Sequence, residues 1–484
     1  MNYRMIGRFI GLIVAVEAVL LLPALGISLG YGEWDAVKGF LCGLIAMVLV
    51  GGGLLGSCRK AGRLFGAREG LVCVSLGWIT LSILGCLPFV VSGAIPGFID
   101  ALFEVVSGFT TTGASILADV EALPKGLLYW RSFTHWLGGM GVLVFLLAIA
   151  PVSGGDKGFT MHILRAESPG PDVGKLVPKL RQTAVILYGI YIVMTVLNVV
   201  FLLVGGMPFL EALCTAFGTA GTGGFGVKND SMASYSPYIQ NVTTVFMFLF
   251  GINFSCYYLL LMGKFRSVLK DEELRLYVGL AIACVVVLVL SIRPLYSTLE
   301  ETIRHAAFQV SSIMTTTGYT TTDYDLWPGV SKAILLLLMI VGASAGSTGG
   351  GLKCIRVLLL FKVLRRNIRQ ILSPQKVLTV RSNGKTVDEK VLSNVNAYLA
   401  AYVIIIVLST LILSLDGFSL ETNLSAVLAT FNNIGPGMAA VGPTCTYASY
   451  SILSKLTMIL IMLAGRLEIF PILVLFSRST WYRK

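Results

Sequence analysis

The chain has 484 residues, with 37 Lys and Arg against 25 Asp and Glu, three His, and a net charge of +12. Hydrophobic residues make up 55% of it and charged residues only 13%, about half the roughly 25% of a soluble domain, and the mean hydropathy is +0.82. One water-soluble core cannot bury that much apolar surface and still leave enough polar surface to dissolve it, so the chain is read as an integral membrane protein partnered by the lipid bilayer. None of the nine Cys falls in a CxxC spacing and no HExxH is present, which leaves no sequence signature of a metal centre.

A helix needs about 20 apolar residues to cross ~30 Å of hydrocarbon. Ten runs meet that length, at roughly 9–30, 37–56, 70–94, 127–150, 182–205, 239–263, 274–293, 331–361, 395–415 and 454–477. The first is too long for a signal segment and is read as a retained span. Four shorter stretches, about 98–112, 208–222, 302–317 and 421–434, end in Gly- or Thr-rich tracts and are read as re-entrant. Segments 1–8, 57–69, 151–181, 264–275, 353–392 and 478–484 hold most of the Lys and Arg. That places them, and both termini, in the cytoplasm. The basic balance is thereby assigned to topology, with no nucleic-acid partner.

Self-comparison aligns the four short stretches as LFEVVSGFTTTGA, ALCTAFGTAGTGG, AFQVSSIMTTTGY and LSAVLATFNNIGP, with Gly113, Gly223, Gly318 and Gly435 in register. The expected architecture is all-α, with four tandem helix–pore loop–helix repeats in a pseudo-four-fold array behind an N-terminal pair of spans. The units are residues 1–69 (the N-terminal pair), 70–178, 179–270, 271–392 and 393–484. A cation losing its water shell needs rings of oxygens, and extended carbonyls from four loops supply them. Glycine at the turn permits the positive φ that aims those carbonyls inward. Candidate cation ligands are therefore Thr111, Thr112 and Gly113; Gly221, Thr222 and Gly223; Thr316, Thr317 and Gly318; and Asn433, Ile434 and Gly435.

These tracts resemble the four pore loops of the potassium-transporter superfamily that includes the bacterial Trk and Ktr systems and their fungal and plant relatives. The N-terminal pair is more similar to the Trk uptake subunit than to the shorter Ktr subunit. The fourth loop departs from the family pattern, with Asn432, Asn433 and Ile434 in place of Thr. The resemblance implies K⁺ uptake through a glycine-lined filter in a bacterial inner membrane, no enzymatic activity and no covalent cofactor. It also implies a homodimer with one pore per protomer, and a cytoplasmic NAD- or ATP-binding ring protein through which any nucleotide acts.

Two intramembrane features carry functional readings. Gly342, Ala343, Ser344, Ala345, Gly346, Ser347, Thr348, Gly349, Gly350 and Gly351 lie midway along the run 331–361. Each helical glycine costs about 1 kcal/mol relative to Ala, so the helix is expected to break there, and in the family the corresponding loop gates the pore. Arg466, at the middle of the run 454–477, is expected to face the pore near that gate, or else to pair with a carboxylate such as Glu17. Glu468, two residues on, is not an obvious partner for it. Gly138 to Gly141 read as packing, His135 and His305 as interfacial, and Asp323 and Asp325 as part of an acidic outer vestibule. A sodium- or proton-coupled symporter and a secondary transporter of another fold are the competing functions.

Overall fold

The computed structural model describes residues 1–59, 67–139, 141 and 180–481. Among the described residues six helices are long and apolar enough to cross a membrane, or seven if one bent pair counts as a single span. Among the described residues the fold is helical apart from one hairpin of two-residue strands, Arg381–Ser382 with Lys385–Thr386. Asn383 and Gly384 both take positive φ at its turn, as a tight antiparallel hairpin demands. Asn383 also anchors this hairpin to the start of the span Glu272–Ile292, accepting from the Glu272 N–H at 2.9 Å.

The first two helices, Tyr3–Tyr31 and Trp34–Ser57, pack through small residues. A methyl group at Gly11 would meet the Gly51 carbonyl at 3.1 Å, and one at Gly39 would meet the Pro88 carbonyl at 2.5 Å. Such close backbone approach is how helices associate where lipid removes the hydrophobic drive.

Four units follow, each with an inbound span, a short helix and an outbound span. The short helices are Phe98–Phe109, Phe209–Ala220, Leu299–Met314 and Leu420–Phe431. Each presents small residues and buried hydroxyls to its neighbours, and each ends one residue before its loop, at Thr110, Gly221, Thr315 and Asn432. The helices Ala67–Gly85 and Glu389–Leu413 begin a few residues before positions 70 and 393. The boundary at 178–179 lies outside the described residues.

The outbound spans differ most from the sequence reading, which broke only one of them. The run 239–263 is two helices, Pro237–Phe250 and Phe254–Leu261, bent by 89°. Asn253 restarts the chain by accepting from the Ser255 N–H at 2.9 Å, a helix N-cap that a continuous span has no use for. The run 454–477 splits into Ile452–Arg466 and Phe470–Phe476. Glu468 and Ile469 both take positive φ there, and Pro471 opens the second piece. The run 331–361 breaks after Val341, as expected, and resumes at Cys354. The later part of 127–150 lies outside the described residues.

Candidate functional site: a ring of four loops

Each loop leaves its short helix through the same two backbone steps. Thr111, Thr222, Thr316 and Asn433 have φ between 53° and 58°, and Gly113, Gly224, Gly318 and Gly435 have φ between 77° and 99°. Left-handed backbone is uncommon outside glycine and unfavourable for a β-branched residue. Its recurrence at one position of four loops marks backbone held in place by its surroundings.

This geometry corrects the alignment of the second loop by one residue. Thr112, Gly223, Thr317 and Ile434 each donate their N–H, at 2.8 Å, to the carbonyl five residues earlier. The residue in register with Gly113, Gly318 and Gly435 is therefore Gly224, and Gly221 matches the helix caps Thr110, Thr315 and Asn432. In the sequence Gly223 and Gly224 are indistinguishable; the end of the preceding helix decides between them.

With that register the four loops close a circle. A methyl group on Gly113 would lie 2.0 Å from the Gly223 carbonyl oxygen, and one on Gly224 would lie 1.9 Å from that of Thr317. The next contacts are 1.9 Å from Gly318 to the Ile434 carbonyl and 2.7 Å from Gly435 to that of Thr112. Any side chain at these glycines would push on a carbonyl of the next loop. All four glycines line one vestibule, with Pro436, Thr444 and Cys445 among its walls. The C-terminal ends of the short helices, which carry partial negative charge, terminate at the ring.

Neighbouring groups pin the loops. Thr112 Oγ1 lies 2.8 Å from Thr110 Oγ1 and accepts from Asn433 Nδ2 at 2.9 Å. Thr317 Oγ1 lies 2.7 Å from Thr315 Oγ1. The buried pair Arg131–Glu104, at 2.7 Å, ties the first loop's exit to the next span, since Glu104 also accepts from Ser115 Oγ and the Ile116 N–H. Asp323 and Asp325 are absent from the vestibule lining. Asp325 instead accepts from the Ala439 N–H at 2.7 Å, and its burial there raises its carboxyl above the usual range.

The tract 342–351 lies directly beneath the ring. Gly342 ends the helix Gly329–Val341 with φ 71°, and Gly346 and Gly351 also take positive φ. Gly350 donates its N–H to Thr316 Oγ1 at 2.6 Å, and a methyl group there would meet the Asn432 carbonyl at 2.3 Å. A methyl group on Gly349 would meet the Thr315 carbonyl at 2.7 Å and the buried Ala343 at 2.6 Å. The Ser344 N–H bonds the Gly251 carbonyl, the Phe254 N–H bonds that of Gly346, and Thr348 Oγ1 donates to that of Phe250. Ser347 Oγ closes the turn on the Ser344 carbonyl at 2.6 Å.

Arg466 stands at the end of its helix rather than mid-span. Its guanidinium donates to the Thr348 carbonyl at 2.8 Å and to those of Gly138 and Gly139 at 2.5 Å. It thus joins the tract to the end of the helix Lys125–Gly139. Glu17 is not hydrogen-bonded to it, because both Glu17 carboxylate oxygens lack a hydrogen-bond partner. Glu468 pairs with Arg356.

Three residues escaped the sequence reading. Glu273, buried at the inner end of its span, accepts from the N–H groups of Ala345 and Ile355 at 2.6 and 3.1 Å. Lys353, also buried, donates to the Gly349 carbonyl. Arg356 lies over the Tyr398 ring at 3.9 Å. The signal was present, since Lys353 and Arg356 are charges inside an apolar run, where ionisable groups are functional until shown otherwise. His135 is a further correction. It is fully buried beside the second loop, not interfacial. His305 is nearly buried, with Nδ1 2.8 Å from Thr321 Oγ1.

Loops that meet head to tail in a ring, each on a short helix between longer apolar helices, define a multi-pass membrane protein built around that ring. Residues 37–481 match the family model TrkH, described as a cation transport protein, and the chain belongs to that family. It is 35% identical to the Trk system potassium uptake protein TrkH of Salmonella typhimurium, over 99% of this chain and 100% of that protein. It is 32% identical to the Trk system potassium uptake protein TrkG of Escherichia coli K12, over 99% of each. The crystal structure of the potassium transporter TrkH from Vibrio parahaemolyticus is similar throughout, with a TM-score of 0.88 and 31% identity over 100% of both chains. The all-α membrane architecture expected from the sequence is the observed one.

Proposed function

We propose that this chain takes up K⁺ across a bacterial inner membrane, along the axis of the four loops. The observation that carries the reading is the closed circle of glycine-to-carbonyl contacts, which sets the carbonyls of Thr112, Gly223, Thr317 and Ile434 around one axis. Uncharged oxygens in such a set replace a monovalent ion's hydration shell without holding it too tightly to leave. The tract 342–351, hydrogen-bonded to Thr316 above and to Arg466 at its side, is the gate. The protein works as a homodimer with cytoplasmic termini. A nucleotide-binding ring protein bears on its basic inner loops and acts through the helix Cys354–Leu372, which continues the tract.

The test is flux into liposomes containing the purified protein, with K⁺ or Na⁺ as the only permeant cation. Wild type is expected to favour K⁺ with no second ion gradient imposed. Gly113→Ser, which forces the Gly223 carbonyl to move, is expected to admit more Na⁺ while inserting normally. An unchanged K⁺/Na⁺ ratio in that variant would remove the loops from the ion path, and a strict requirement for a Na⁺ or proton gradient would replace the channel-like reading with symport.

A further inference from the structure

Three of the loops fill the space behind their carbonyls with their own side chains. In the first, Thr110 and Thr112 are a buried hydroxyl pair; in the third, Thr315 and Thr317 repeat it at 2.7 Å. In the fourth, buried Ile434 and Asn432 do so, the latter accepting from Tyr402 at 3.0 Å. The second loop has Gly221 and Gly223 at these positions and so supplies no side chain.

What occupies the space is an imidazole from the preceding unit. A methyl group on Gly223 would fall 1.3 Å from His135 Nδ1, with its three nearest atoms all in that ring, and one on Gly221 would fall 2.2 Å from the His135 carbonyl oxygen. The ring is fully buried and lies against Phe225 at 4.1 Å between centroids. Phe225 follows the loop and also carries the Arg131 guanidinium over its ring, 3.5 Å from the centroid. Neither ring nitrogen of His135 has a hydrogen-bond partner. A polar ring left unpartnered inside a protein is costly, and what the site draws from His135 is therefore its shape.

We infer that His135 is a positioning residue for the ion path, a strut that takes the place of the missing threonine pair and sets the height of the Gly223 carbonyl in the ring. The inference rests on the reading of the loops as a K⁺ filter and adds to it a residue that touches no ion. It makes Gly223 and His135 a matched pair, since one must lack a side chain because the other supplies it.

The experiment compares His135→Ala, Gly223→Thr and the double variant by K⁺ and Na⁺ flux in liposomes and by melting temperature. His135→Ala is expected to lower the K⁺/Na⁺ ratio several-fold, because the Gly223 carbonyl loses its backing. Gly223→Thr alone should be inactive or misassembled, with its Cβ inside the ring. The double variant, which rebuilds a threonine behind the loop, is expected to recover selectivity towards wild type. A well-folded His135→Ala protein with the wild-type ratio overturns the strut. Should His135→Ala fail to fold, the double variant decides alone: folding with K⁺ selectivity supports the pairing, and failure of either overturns it. Wild type that does not distinguish K⁺ from Na⁺ would sink the filter reading itself, a separate outcome from an unaffected His135→Ala.

Discussion

Arg466 commits its guanidinium to three main-chain carbonyls on two different units. A cation there does two things: it satisfies buried carbonyls at the end of the helix Lys125–Gly139, and it fixes the tract at Thr348. At ~4 Å and an effective dielectric near 20, two unit charges repel by roughly 4 kcal/mol. Even part of that barrier is worth several-fold in rate at about 1.4 kcal/mol per decade. Arg466→Ala is expected to raise K⁺ flux per inserted protein several-fold and to lower the melting temperature. Unchanged flux would leave Arg466 as a purely structural cap. Glu17 is the opposite case, a buried carboxylate with no hydrogen-bond partner, packed 2.9 Å from where a Gly85 Cβ would stand. A buried polar group left unpaired costs about 1–3 kcal/mol, so Glu17→Met should raise the melting temperature without altering flux. A lower melting temperature would show that the carboxylate has a stabilising role.

The tract 342–351 is an element made of exceptions. Its backbone cannot be helical at Gly342, Gly346 and Gly351, where φ is positive, so its N–H groups must find partners elsewhere. Glu273 takes the N–H of Ala345 together with that of Ile355 in the following helix, and so clamps the tract to that helix. Glu273→Ala would strand both donors and is expected to loosen the tract, raising basal flux and weakening control by a cytoplasmic partner. Glu273→Gln keeps a carbonyl acceptor and should stay near wild type. Equal flux in both variants and wild type, measured in the same liposomes, would detach Glu273 from gating.

At the scale of the whole molecule, the charge asymmetry of the sequence predicts cytoplasmic basic loops and a vestibule on the opposite side. Cys445 is exposed and lines that vestibule, whereas Cys73, Cys86, Cys214, Cys256 and Cys354 are buried. A membrane-impermeant maleimide added to intact spheroplasts is expected to label Cys445 and to slow uptake. Protection by a Cys445→Ser substitution checks the site. Labelling confined to inside-out vesicles would invert the topology.

Composition and spacing by themselves determined that the chain is a helical membrane protein. They also determined that four short helices end in Gly- or Thr-rich tracts and that one outbound span breaks at its glycines. These are local properties: apolar length, helix cost and charge asymmetry can be read a window at a time. The tertiary structure alone decided which glycine of Gly223–Gly224 turns the second loop, because two identical residues differ only in where the preceding helix stops and whose carbonyl they face. It alone showed the breaks at Gly251–Asn253 and Leu467–Ile469, where few glycines give warning and the next helix is restarted by a cap or a proline. It alone moved His135 from the interface to a buried place beside the second loop and gave Arg466 three main-chain carbonyl partners. Burial and partnership of that kind are set by other parts of the chain, as far as 328 residues away for Arg466 and Gly138, and no window along a single chain segment contains them.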